Sequence, residues 1–139
     1  MTLESDAQFG TYAQAVVCKE TEATLLPENM TYSQGAALGS SGLTALYALK
    51  QKASLKTGEY VLIHGATGGV GTLVLQFAKL YGAKVIATAG SEKGLEILKK
   101  LGADHVFNHH AEGYIERIQD LTKAHGLDVI IEMLANVNL

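Results

Sequence analysis

The chain has 139 residues, of which 47% are hydrophobic and 18% charged, with a formal net charge of −3. These values fit one soluble globular domain and exclude collagen-like, disordered and coiled-coil chains. No apolar run reaches the ~20 residues needed to cross a bilayer, and residues 1–6 carry no basic start with an apolar stretch behind it, so neither a membrane span nor a secretory leader is expected.

Before Gly58 the pattern is mixed. Residues 12–17 (Tyr12, Ala13, Gln14, Ala15, Val16, Val17) read as a strand. Thr24, Leu25 and Leu26 read as a short extended piece closed by Pro27, the single proline. Thr31 and Gln34 have the spacing of a capping box, so a helix is predicted to start there. That helix is rich in small residues (Gly35, Ala36, Ala37, Gly39), which implies close approach to another backbone. Its glycines weaken it, and a break is predicted near 39–42.

After Gly58, strand and helix signals alternate, as in a parallel sheet wrapped by helices. Residues 60–64 form an almost unbroken apolar run, short enough for a buried strand. Val70, Leu73, Val74, Phe77, Ala78 and Tyr81 then recur at helical spacing, with Gly82 placed to end the helix. Residues 84–88 are a second strand. Ser91 can cap a helix carrying Leu95, Leu98 and Leu101, which Gly102 ends. Residues 105–108 are a third strand. Tyr114, Ile115, Ile118 and Leu121 mark a third helix face, ended near Gly126. Residues 127–132 are a fourth strand. The fold class predicted is α/β: a Rossmann-like doubly wound parallel sheet, ordered 3-2-1-4, with its fourth strand at the edge. An unpaired apolar edge favours self-association, so a homo-oligomer is expected.

The informative stretch is residues 64–71, His-Gly-Ala-Thr-Gly-Gly-Val-Gly. Against the pattern G-x-G-x-x-G, Ala66 replaces the first glycine, while Gly68 and Gly71 hold the other two places. Gly68 would let the backbone approach a pyrophosphate, and Gly71 would let helix and strand pack closely. The N–H groups at the start of the helix would face the anion. A strand precedes the turn, a helix follows, and the next strand begins 13 residues past Gly71, as a dinucleotide fold requires.

The tip of the second strand bears on which dinucleotide. An NAD site usually places an acid there for the ribose 2′-hydroxyl. Residues 88–91 are Thr, Ala, Gly and Ser, with no acid at the tip. Ser91, Lys93 and the N–H groups of the following helix can hold a 2′-phosphate, so the cofactor read is NADP(H) rather than NAD(H). Lys93 also fits a solvated helix residue.

Other polar residues have plainer readings. His105, His109 and His110 cluster in sequence, but no cysteine or acid accompanies them at ligand spacing, so no metal is assigned. His64 at the strand end fits a hydrogen-bonded packing histidine or a cofactor contact. Cys18, the single cysteine, fits a small hydrophobe and a reducing, cytoplasmic setting. No nucleophile-turn pattern supports hydrolase chemistry, and no catalytic residue is assigned.

Five runs carry a family resemblance: residues 10–13, 34–38, 64–71, 106–109 and 130–139, the last reading Ile-Ile-Glu-Met-Leu-Ala-Asn-Val-Asn-Leu. With these runs the chain resembles the zeta-crystallin group of quinone oxidoreductases, zinc-independent members of the medium-chain dehydrogenase/reductase superfamily. The resemblance implies NADPH bound between a Rossmann domain and a GroES-like catalytic domain, and reduction of quinones or related conjugated carbonyl compounds. It implies that Gly68, Gly69, Val70 and Gly71 cradle the pyrophosphate, and that Gly90, Ser91 and His109 surround the 2′-phosphate. Thr44 and Tyr47 would face the nicotinamide side. Some relatives carry a lysine one place after Lys93, where this chain has Gly94.

Members of that group run to roughly 330 residues, in two domains. The chain is therefore expected to be a fragment: residues 1–27 a remnant of the catalytic domain, 28–139 the NADP-binding domain shortened at its C-terminal end. Alone it is expected to have little or no quinone reductase activity. The alternative implied by the resemblance is a non-catalytic role, as a lens structural protein or a binder of AU-rich RNA. Arg117 is the single arginine and the lysines are scattered, which weighs against RNA.

Overall fold

The structure is a computed structural model and describes residues 12–133. The resemblance run at 10–13 lies partly outside these residues, as does the end of the 130–139 run.

Four parallel strands form one sheet in the order β3-β2-β1-β4. They are β1 (Tyr60–Ile63), β2 (Lys84–Ala89), β3 (His105–Asn108) and β4 (Val129–Ile131). The helices are α1 (Tyr32–Tyr47), α2 (Gly69–Leu80), α3 (Glu92–Lys100) and α4 (Tyr114–Thr122). A π-helical turn, Ala48–Lys52, continues α1. The predicted order and strand sequence are those observed. No helix among the described residues is long and apolar enough to cross a membrane.

Strand alternation sorts the side chains into two cores. On one face Val61, Ile63, Val85, Ala87 and Ala89 pack with Ala45 and Leu49 from the α1 region, Val74, Leu75 and Ala78 of α2, and Leu98 of α3. On the other, Leu62 and Ile86 pack with Ile118 of α4. β1 and β2 are buried on both faces, which explains their continuous apolar runs.

The helix boundaries follow from local chemistry. Thr31 and Gln34 form the capping box, with reciprocal bonds of 3.2 and 2.9 Å. Ser91 caps α3 by accepting the Gly94 N–H at 3.2 Å. Gly82 and Gly102 follow α2 and α3 at φ +76° and +95°, conformations glycine adopts without strain.

An aspartate precedes each of the two outer strands and does the same work twice. Asp104 accepts the Val85 N–H through its carboxylate at 2.6 Å and donates its own N–H to Val85 O at 2.9 Å. Asp128 accepts the Tyr60 N–H at 2.8 Å and donates to Tyr60 O at 3.1 Å. These two-way links set the register of β3 on β2 and of β4 on β1.

Two expectations are corrected. Residues 12–17 are not a strand; a short 3-10 turn, Glu20–Glu22, follows them, and Thr24 to Leu26 carry no regular secondary structure. A strand needs a neighbour to take its N–H and C=O groups, and the described sheet offers none here. The break near 39–42 is absent, and α1 runs through it. Packing on α2 holds the helix where propensity alone would not: Gly42 is buried, with Leu38 and Leu73 around it.

Candidate functional site

The glycine-rich turn lies between the end of β1 and the start of α2, where the sequence placed it. Gly68 is the N-cap of α2, with φ −73° and ψ 169°. The N–H groups of Gly69, Val70 and Gly71 belong to the first turn, outside the helical ladder. They point to the C-terminal end of the sheet, with the positive end of the helix dipole behind them. Gly71 is buried; a Cβ there would lie 2.7 Å from Ala66 Cα. A Cβ on Gly69 would lie 3.2 Å from Ser41 Oγ. Ser41 of α1 therefore lies against the glycine turn, whereas Gly35, one of the small residues expected to approach another backbone, faces the Leu26 side chain. Gly68 and Gly69 are exposed.

The other predicted residues fall on either side of this turn. Gly90 follows β2, Ser91 caps α3 and Lys93 is exposed in its first turn. His109 follows β3 and lies over Gly90: a Cβ on Gly90 would be 2.7 Å from His109 Nε2. Thr44 and Tyr47 lie on the opposite, β4 side. They line an open groove of about 580 Å³ with Lys52 and residues 128–131. The site thus spans the sheet from β3 across the switch point between β1 and β4, where open α/β sheets bind ligands. Gly90 and His109 meet directly, whereas Thr44 and Tyr47 belong to a separate part of the cleft.

Four polar residues of this edge were not singled out as site residues by the sequence. Thr88 is fully buried and its Oγ1 accepts the Gly65 N–H at 3.1 Å. His109 Nδ1 lies 3.4 Å from the same oxygen. His64 Nδ1 pairs with the Glu132 carboxylate at the end of β4, and Tyr114 packs edge-on to its ring. His64 is thus a hydrogen-bonded packing histidine, although its Nε2 is buried without a partner. His110 stands beside His109, ring centroids 4.5 Å apart. Burial pushes the pKa of His109 below the ordinary histidine value, and the nearby imidazoles of His110 and His64 push it further. The pairs His64–Glu132 and Thr88–His109 join residues 68 and 21 positions apart. Local pattern carries no signal for them.

A βαβ unit closed by a glycine turn, with two further parallel strands in doubly wound order, defines a Rossmann-type domain. The family model described as zinc-binding dehydrogenase matches residues 69–139, just over half the chain, and the chain belongs to that family. A quinone oxidoreductase of Sus scrofa is 48% identical over 130 residues, covering 94% of this chain and 40% of the relative. The structure of an Escherichia coli quinone oxidoreductase complexed with NADPH is 34% identical with a TM-score of 0.74; the match covers 80% of this chain and 34% of that one. The CurK enoyl reductase structure is 39% identical with a TM-score of 0.74, covering 80% and 33%. The chain spans about 40% of the length of the quinone oxidoreductase it matches.

The family name raises zinc. Among the described residues, no group of three or more His, Cys, Asp or Glu could hold a metal ion.

Proposed function

We propose that this chain is the NADPH-binding part of a quinone oxidoreductase, in which residues 28–139 form the cofactor domain and 1–27 belong to the catalytic domain. The observation that carries the reading is the α2 N-terminus with its glycine turn, beside a β2 tip that bears no carboxylate. A dinucleotide fits this geometry. Gly68 and Gly69 are open to a pyrophosphate, and the N–H groups of Gly69, Val70 and Gly71 face it. Gly71 removes the side chain that would hold α2 away from β1.

The adenosine end lies over β2 and β3 in this reading. Gly90 lets the His109 and His110 imidazoles close over the β2 tip. Ser91, Lys93 and His109 surround the 2′-phosphate, where an acid would repel it. The nicotinamide end points toward β4, with Thr44 and Tyr47 beside it. The reduced nicotinamide supplies a hydride when bound. The chain's own residues bind and orient the dinucleotide. The substrate is a quinone or related conjugated carbonyl, which the names of the quinone oxidoreductase and enoyl reductase relatives support. Substrate contacts come from the catalytic domain, so the 139-residue chain is expected to show little or no quinone turnover. We also assign it a cytoplasmic setting, from its single cysteine, and a homo-oligomeric state. The support for the latter is β4, an edge strand among the described residues, whose Ile130 is 52% exposed.

The test is an equilibrium titration with NADPH and NADH side by side, following cofactor fluorescence. Saturable binding that favours NADPH is expected. Binding that favours NADH, or no binding of either by the folded chain, would overturn the reading.

A further inference from the structure

Two imidazoles converge above the tip of β2. A Cβ on Gly90 would lie 2.7 Å from His109 Nε2 and 2.7 Å from His110 Nε2. Both nitrogens are that close to one point, so they are at most about 5.4 Å apart. Two nitrogens that close can both donate to one phosphate group, each through a charge-assisted N–H···O bond of about 2.8 Å. The ring of His109 is anchored from behind. Its Nδ1 lies against Thr88 Oγ1, which is itself held by the Gly65 N–H. Its Nε2 is thereby directed to the space over Gly90. His110 is positioned by its backbone, whose N–H donates to Asn108 Oδ1 at 2.9 Å.

We propose that His109 and His110 form a proton-loaded clamp for the 2′-phosphate, so that the preference for the phosphate-bearing dinucleotide rises as pH falls. This rests on the NADPH reading above and adds His110, together with proton uptake, to it. The chemistry follows from charge. Without a ligand, the burial of His109 and its neighbours His110 and His64 favour the neutral ring. A dianionic phosphate held against both Nε2 atoms reverses that balance and favours imidazolium. Binding NADPH therefore takes up protons, and binding NADH, which has no 2′-phosphate, does not.

Of the other titratable groups, His64, which follows β1, acts on His109 directly; it is paired with Glu132 after β4, and Tyr114 of α4 packs on its ring. Glu92 and Lys93 stand in the first turn of α3, after Gly90, and Glu112 follows the pair by two residues in sequence. The phosphate itself takes a proton near pH 6, so the window to examine lies above that.

The experiment measures the dissociation constants of NADPH and NADH for the 139-residue chain between about pH 8.5 and 6.5, where an unperturbed histidine begins to titrate. Dividing one by the other cancels every contribution common to both cofactors. The ratio is expected to shift toward NADPH by about tenfold as pH falls across this window. Calorimetry in buffers of different ionisation enthalpy is expected to show proton uptake with NADPH and none with NADH. The double substitution His109→Gln and His110→Gln should flatten the ratio, and His110→Gln alone should reduce its slope. A role in packing alone would leave that slope unchanged. NADPH-selective binding with a pH-independent ratio overturns the clamp and leaves the NADPH reading standing. Failure of both cofactors to bind overturns the two together.

Discussion

Gly68 and Gly71 stand three residues apart, and the structure assigns them different work. A Cβ on Gly71 would lie 2.7 Å from Ala66 Cα and 2.9 Å from the Ala66 carbonyl carbon and oxygen. All are backbone atoms, and Ala66 is tied to β2 by its N–H bond to Thr88 O at 2.9 Å. Neither side can swing away. The start of α2 would have to lift by about 0.7 Å to reach even a tight contact, pulling at the buried Val74, Leu75 and Ala78. Overpacking against an immovable neighbour costs about 2–3 kcal/mol, which the gain in helix propensity from Gly to Ala, at most ~1 kcal/mol, only partly offsets. A Cβ on Gly68 would meet Gly65 O at an ordinary 3.7 Å, and its backbone conformation suits any residue. Gly68→Ala should therefore cost no more than ~1 kcal/mol, through a poorer N-cap. Its methyl group would instead stand where the pyrophosphate approaches. Urea unfolding followed by circular dichroism, with NADPH titration, separates the two. Gly71→Ala should lower the midpoint by about 1 M, and Gly68→Ala by half that or less. Gly68→Ala should weaken NADPH by about tenfold or more through lost pyrophosphate contacts. Equal midpoints for the two variants, or full NADPH affinity in Gly68→Ala, would refute the reasoning.

Three further outcomes are expected. Ser91→Asp keeps an efficient N-cap but sets a carboxylate beside the 2′-phosphate. Thermal stability should hold while NADPH weakens relative to NADH by about 10- to 100-fold at low salt, in paired titrations. Gly42→Ala should raise stability by about 0.5–1 kcal/mol through helix propensity, because its Cβ would find no atom nearer than 3.8 Å; a lower melting temperature would count against continuous packing of α1. For Asp104, burial raises the pKa, but bonds from Lys79 and the Val85 N–H outweigh it and hold the carboxylate below its ordinary value. The folded-state value is the lower one, so its contribution is complete above the unfolded-state value and is lost as pH falls through the folded one. Asp104→Asn should therefore flatten the acid limb of a stability-versus-pH curve.

What could be read from sequence was whatever local pattern encodes. Thr31 with Gln34, Ser91 with Gly94, and Gly82 and Gly102 after their helices are all contacts within a few residues. The strands from β1 onward were legible because each is bounded by turn residues and alternates with an amphipathic helix. Residues 12–17 misled because strand propensity says nothing about whether a neighbouring strand exists. Gly42 misled because burial against α2 overrode its low helix propensity. The glycine turn was visible as a motif. The cluster of His64, Thr88, His109 and His110 was not, since it assembles from the ends of three strands that only the sheet brings together. His109 entered through resemblance, and His110 through its geometry.

The aspartates ahead of β3 and β4 have a consequence for how this domain tolerates change. Each binds a neighbouring strand in both directions just before its own strand begins, so alignment is written at the point of entry. The connections arriving there, from α3 into Asp104 and from α4 into Asp128, need not measure out a length. Insertions and deletions should accumulate in those two connections without shifting the sheet. At the opposite rim the turns leaving β1, β2 and β3 carry Gly68, Gly90 and His109 at fixed places, and one residue more or less there would displace the chemistry itself. The fold thus has one rim that can vary freely in length and one that cannot.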